Sequence, residues 1–124
     1  MMKCPLFALA CLILALLPRL AQADLLLLMA EEDGCYWCQK WYDEVGIIYP
    51  KTVEGKIAPI WSFDIHTELP SVTLSKDLIF TPTFILTDNG QEIGRIEGYP
   101  GEDFFWARLG MLFDAQNISL EIVE

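Results

Sequence analysis

Leu25-Leu-Leu-Leu-Met-Ala30 runs into Glu31-Glu-Asp-Gly34 and at once into Cys35-Tyr-Trp-Cys38, and this succession restricts the fold more than any other stretch. A short apolar run closed by polar and turn residues reads as a fully buried strand. From Cys35 the period changes. Cys38, Trp41, Tyr42 and Val45 recur at spacings of three and four, one apolar stripe of a helix that Gly46 and Pro50 stop. Two cysteines thus stand at a strand-to-helix turn, where they are a redox pair, half of a metal site or a structural disulfide.

The rest of the chain narrows that choice. Residues 1–23 begin with Lys3, continue through an apolar stretch from Leu6 to Leu17, and end in Ala21-Gln22-Ala23. This is the layout of a cleavable secretory signal peptide, leaving 24–124 as a single domain in an exported protein. An uncleaved anchor is the alternative, but Pro18 and Arg19 interrupt the run, which is shorter than the roughly 20 residues a span needs. Cleavage removes Cys4 and Cys11, so Cys35 and Cys38 remain alone. One histidine, His66, cannot complete the four ligands of a structural zinc site with them, and no metal is expected. A disulfide across so short a spacing closes too small a loop to restrict the unfolded chain much. The redox pair is the favoured reading.

Charge excludes one class of partner. Of the 8 Lys and Arg, Lys3 and Arg19 precede Asp24, so the mature chain carries 6 against all 18 acidic residues, a formal −12. Such a surface repels phosphate backbones, and no nucleic acid is expected as a partner.

The remaining elements follow from pattern. Pro59 to Ile65 is β-branched and aromatic, a second strand. Residues 67–78 read as loop with a helical turn. Phe80 to Thr87 is a third strand with Pro82 at its mouth, and Asp88-Asn89-Gly90 is a hairpin turn into a fourth, Gln91 to Glu97, where Gly94 predicts a bulge. After Gly98-Tyr-Pro-Gly101, Glu102 and Asp103 open a last helix with Phe105, Leu109, Leu112 and Phe113 as its buried stripe. The order β-α-β, then β-hairpin-α, implies an α/β fold with a central mixed four-stranded sheet and helices on both faces. Trp41, Trp61 and Trp106 are expected in the core. Glu31, Glu32 and Asp33 read as a solvated loop, and His66 as a surface histidine.

A cysteine at a helix start lies beside unpaired backbone N–H groups and the positive end of the helix dipole, both of which favour thiolate over thiol. Cys35 holds that place, and Cys38 lies one turn inward. Cys35 is therefore the expected nucleophile, attacking a substrate disulfide to give a mixed disulfide that Cys38 resolves. Tyr36 and Trp37 are forced near the surface beside Cys35, where they contact substrate or, for one of them, pack against the loop before Pro82.

These residues, with Thr81-Pro82 ahead of a strand leading into the hairpin, resemble the thioredoxin family. The resemblance implies that Pro82 is cis, that Thr81 presents backbone groups to a substrate strand, and that Gly98 lines the substrate groove. Over nearly the whole mature chain, and above all in the block Tyr49-Pro-Lys-Thr-Val-Glu-Gly-Lys-Ile-Ala-Pro59, the sequence is similar to the SoxS-type periplasmic thioredoxins of bacterial sulfur-oxidation (Sox) systems. That likeness implies a thiol–disulfide oxidoreductase without a cofactor, a reductant that keeps a carrier protein's cysteine in its thiol form. It also implies electrons supplied by a membrane thiol transporter. Two departures stand out. Tyr36-Trp37 replaces the Gly-Pro of ordinary thioredoxins, and Leu26 occupies the place of their buried aspartate, leaving Glu31, Glu32 or water to serve the resolving thiol. A disulfide-forming oxidant is the same chemistry run in reverse. A Cu(I)-handling module, with Met29 as the one nearby soft ligand, or a redox-inert interaction domain are readings from other classes.

Overall fold

The computed structural model describes residues 24–67 and 69–121. The expected signal peptide, 1–23, lies outside the described residues, and no helix within them is long and apolar enough to cross a membrane. The chain runs β1 (Leu25–Glu31), α1 (Tyr36–Trp41), a wider π-type turn (Tyr42–Gly46), a 3-10 turn (Tyr49–Lys51), α2 (Val53–Ile57), β2 (Ile60–Asp64), β3 (Thr83–Asp88), β4 (Gln91–Glu97) and α3 (Glu102–Ala115). The sheet order is β2-β1-β3-β4, with β1 and β2 parallel and the other pairs antiparallel. β1 lies between two strands, and Leu27 to Ala30 are wholly buried, which is why it is written as an unbroken apolar run.

The hairpin forms where expected, with Asn89 and Gly90 at φ 50° and 78°. The bulge forms too. Leu86 pairs with Gly94 but Thr87 with Glu92, so Ile93 is the extra residue. Gly94 has a second reason to lack a side chain, since a Cβ there would lie 2.7 Å from Leu112 Cδ2 of α3. Leu112 is accordingly half-buried over the strand, whereas Phe105, Leu109 and Phe113 are fully buried as predicted.

α1, the two turns that follow it and α3 bring side chains to one face. Leu27, Met29, Phe84, Leu86 and Ile96 of the sheet form a single core with Cys38, Trp41, Val45, Tyr49, Phe105, Leu109 and Phe113. Trp41 is at its centre, its ring 5.2 Å from Phe84, 5.8 Å from Phe105 and 6.3 Å from Tyr49. The Tyr49–Pro59 block is a folded unit underneath α1. Thr52 caps α2 by accepting from Gly55 N (3.0 Å), while its hydroxyl donates to Tyr49 O (2.6 Å) and Tyr49 Oη donates to Ala58 O (2.7 Å). Gly55 must be glycine, because a Cβ there would lie 1.9 Å from the Tyr49 carbonyl oxygen. Pro59 O then accepts from Leu27 N (3.0 Å), docking the block to β1.

The mixed sheet and its connectivity match expectation; the cover of the second face differs from it. Trp61, Leu28, Ile85 and Arg95 form one row across that face. Among the described residues no helix covers it. Instead Arg95 donates to the carbonyls of Lys76 (2.9 Å) and Asp77 (3.1 Å), drawing the long 65–80 segment over the sheet. Glu92 accepts from Arg95 (Nη2, 2.6 Å) and from Ser75 Oγ (2.5 Å), and the Glu92–Arg95 pair is nearly buried at 3% and 6% side-chain exposure. The row also corrects the placing of Trp61. Because β2 is the sheet edge, Trp61 has a neighbour on one side only and is 54% exposed, while Trp41 is buried and Trp106 half-buried against Tyr49.

Gly55→Ala sets a methyl group against a rigid carbonyl. The expected cost is about 3 kcal/mol, read in thermal melting as a loss of roughly 10 °C or more in Tm. An unchanged Tm would show that the block yields without loss.

Candidate active site

The site grows from the end of β1. Gly34 takes φ 77°, turning the chain so that Cys35 leaves the strand in an extended conformation and caps α1. Its amide donates to Glu32 O (3.3 Å), its carbonyl accepts from Gln39 N (3.2 Å), and its sulfur accepts from Cys38 N (3.1 Å). That last contact places a backbone donor where charge would reside on a thiolate. Cys35 and Cys38 are joined, with S–S at 2.10 Å. Cys35 is half-buried, while Cys38 is 4% exposed and belongs to the core. A partner can reach only the first. Tyr36 and Trp37 flank it at 66% and 51% exposure, their rings edge to face at 5.0 Å.

A second loop meets the first through a carboxylate. The Thr81–Pro82 bond is cis, Pro82 is buried, and Pro82 O accepts from Gly98 N (2.8 Å), Gly98 having φ 82°. Thr81 Oγ1 donates to Glu32 Oε1 (2.7 Å), and Glu32 Oε2 lies 2.7 Å from His66 Nε2. Glu32 therefore joins the turn before Cys35, the loop before Pro82 and the end of β2. Hydrogen bonds from Thr81 and then His66 hold its carboxyl below the ordinary 4.5. This corrects one expectation, since Glu32 is not merely solvated; His66 is at the surface as expected, with Glu32 as its partner. Separations of 34 and 49 residues hid the network from the sequence.

Two hollows lie here, one at Trp37 and one at the pair itself. One, of about 600 Å³, is an apolar groove lined by Trp37, Phe80, Thr81, Gly98, Tyr99 and Arg108, among others. Trp37, Thr81 and Gly98 thus share one wall system, and Tyr36 stands outside it in the second hollow. That second one, of about 560 Å³, is polar and holds Cys35 and Cys38 together with Glu31, Glu32, Asp33, Tyr42 and Asp64. Glu31 accepts from Tyr42 Oη (2.5 Å), and burial, then this bond, push the Tyr42 phenol up. With Leu26 in the strand, the carboxylates sharing a hollow with Cys38 are thus Glu31, Glu32, Asp33 and Asp64. Met29, the soft ligand considered for copper, is fully buried in β1.

The arrangement suits thiol–disulfide exchange: one accessible sulfur with a donor on it, a second sulfur behind it, and a groove alongside. Comparison with known proteins accords with this. The crystal structure of the periplasmic thioredoxin SoxS from Paracoccus pantotrophus, in its reduced form, superposes with a TM-score of 0.73 and is 44% identical over 75% of this chain and 99% of its own. No protein-family model and no curated protein matches the chain.

The Glu32 bridge has a pH signature. Because its folded-state pKa lies below 4.5, the unfolded chain takes up the proton first, so the contribution to stability is complete above about pH 4.5 and fades as the pH falls toward the folded value. The difference in urea midpoint between the wild type and Glu32→Gln is expected to be widest above that pH and to narrow below it. A difference that does not change with pH would show that the charge on Glu32 does not hold the two loops together.

Proposed function

Since this chain belongs to the thioredoxin family of thiol–disulfide oxidoreductases, we propose that it works in the periplasm as a reductant that keeps the cysteine of a partner protein in thiol form. The observation that carries the reading is the asymmetry of the pair, with Cys35 reachable beside a groove and Cys38 4% exposed behind it. In the reduced protein the Cys35 thiolate attacks one sulfur of the partner's disulfide, forming a mixed disulfide and releasing the other sulfur as thiolate. Cys38, deprotonated, then attacks Cys35 Sγ, expels the partner's remaining sulfur as thiolate and leaves the Cys35–Cys38 disulfide. Two electrons from a membrane thiol donor restore the pair. Trp37, Thr81, Pro82 and Gly98 form the surface against which the partner segment lies, with Tyr36 at its rim.

The periplasmic setting is supported by the relative's location and by the signal-peptide pattern of residues 1–23, cut after Ala23. The likeness to the SoxS type supports a cysteine-bearing carrier protein of sulfur oxidation as the partner. Direction is set by potential rather than by the residues. Equilibration with glutathione buffers is expected to give a value nearer the roughly −270 mV of a reducing thioredoxin than the roughly −120 mV of a strong periplasmic oxidant. A value at the oxidising end would reverse the proposed direction.

Cys35→Ser is expected to abolish disulfide reduction, and Cys38→Ser to retain attack but accumulate mixed disulfides that mass spectrometry identifies. Full turnover by Cys35→Ser would remove the nucleophile assignment. Recovery of one carrier protein on Cys38→Ser in the exported compartment supports a dedicated reductant; recovery of many secreted proteins contradicts it.

A further inference from the structure

We propose that Arg108 makes the groove selective for partner segments that carry a carboxylate beside the reactive cysteine. The inference rests on the redox reading above and names the chemistry of the partner that reading requires.

The groove beside Trp37 and Thr81 has two charged residues in its walls, Glu97 and Arg108. Glu97 is already answered, because Lys76 Nζ lies 2.6 Å from its Oε1. Arg95, next along β4, is taken by Glu92 and by the carbonyls of the 65–80 segment. Arg108, exposed on α3, has no ion pair or hydrogen bond among the described residues. It is the unpaired cation of a groove whose other charged wall residue is already paired, in a mature chain of formal charge −12.

The polar hollow that holds the cysteine pair has the opposite sign. There Glu31, Glu32, Asp33 and Asp64 line the polar hollow. A segment that runs from this hollow across Trp37 into the groove therefore meets four carboxylates in the first and a guanidinium in the second. An acidic side chain over the hollow is repelled; over Arg108 it forms a pair. The polarity thus fixes which way the segment lies as well as what it contains. A guanidinium binds a carboxylate through two parallel N–H bonds, and the walls of Trp37, Phe80 and Tyr99 exclude water from the pair as the segment docks. That raises its worth above that of a fully exposed pair. The overall negative charge does not cancel the effect, since at physiological salt it is screened beyond about 8 Å while the contact is direct.

The test uses disulfide-linked peptide dimers of one sequence with Asp, Asn or Lys placed near the cysteine on either side, reduced by pre-reduced protein in single turnover. In one of the two placements the wild type is expected to favour Asp over Asn by about tenfold in rate constant per peptide concentration, with Lys slowest. The preference is expected to shrink at about 1 M salt. Arg108→Gln brings the Asp-to-Asn ratio to unity, Arg108→Glu inverts the order in favour of Lys, and Arg108→Lys keeps part of the preference. Each ratio is taken within one variant, so a loss of folded protein cancels. Equal rates on Asp and Asn peptides by the wild type, or a ratio that survives Arg108→Gln, overturns the proposal. A wild type that reduces none of the peptides, nor a small neutral disulfide, overturns the redox reading itself.

Discussion

The burial of Trp41 is the constraint on which the site depends. The residue ends α1, and its ring packs among Phe84, Phe105 and Tyr49, tying the cysteine-bearing helix to the sheet, to the last helix and to the block beneath it. Its indole N–H is buried without a hydrogen-bond partner among the described residues, a cost of about 1–3 kcal/mol. Burying some 200 Å² of aromatic surface contributes roughly 5 kcal/mol, so packing wins. The consequence for chemistry is positional. Anchored three residues before Trp41, Cys38 is drawn into the core, while Cys35, at the cap, stays at the surface. The division of labour between the two sulfurs follows from where one tryptophan sits.

Around that anchor the site is assembled from loops that would otherwise move independently. Glu32 takes hydrogen bonds from Thr81 and His66, so a single carboxylate sets the turn before Cys35 against the loop before Pro82. Tyr99 supplies a similar link farther out, its hydroxyl donating to Glu44 (3.0 Å) from the groove wall toward the turn that follows α1. Fixing the groove in this way keeps the ordering cost of docking low, because the walls do not have to be arranged when a partner arrives.

The elements that carry the site were legible because they obey local rules. Four strands, the Asn89-Gly90 turn, the bulge at Gly94 and the stripe of Phe105, Leu109 and Phe113 are each written in a window of a few residues. What was not legible depends on distance or on sheet position. Trp61 has the composition of a core residue, and only the edge placement of β2 exposes it. Nothing local to Arg95 says that its guanidinium will hold two carbonyls 18 and 19 residues away and roof the second face with a loop instead of a helix. The Tyr49–Pro59 block carried the resemblance, yet its reason is a carbonyl pressed on Gly55, which spacing alone does not reveal. Glu32 and His66 looked like surface residues because their partners are far along the chain.

The fold makes one sulfur available and withholds the other. Limited alkylation of the fully reduced wild-type protein with iodoacetamide, followed by peptide mapping, tests it without altering a residue. The first adduct is expected on Cys35, with Cys38 modified only after unfolding. Modification of Cys38 first, or of both at the same rate, would contradict it.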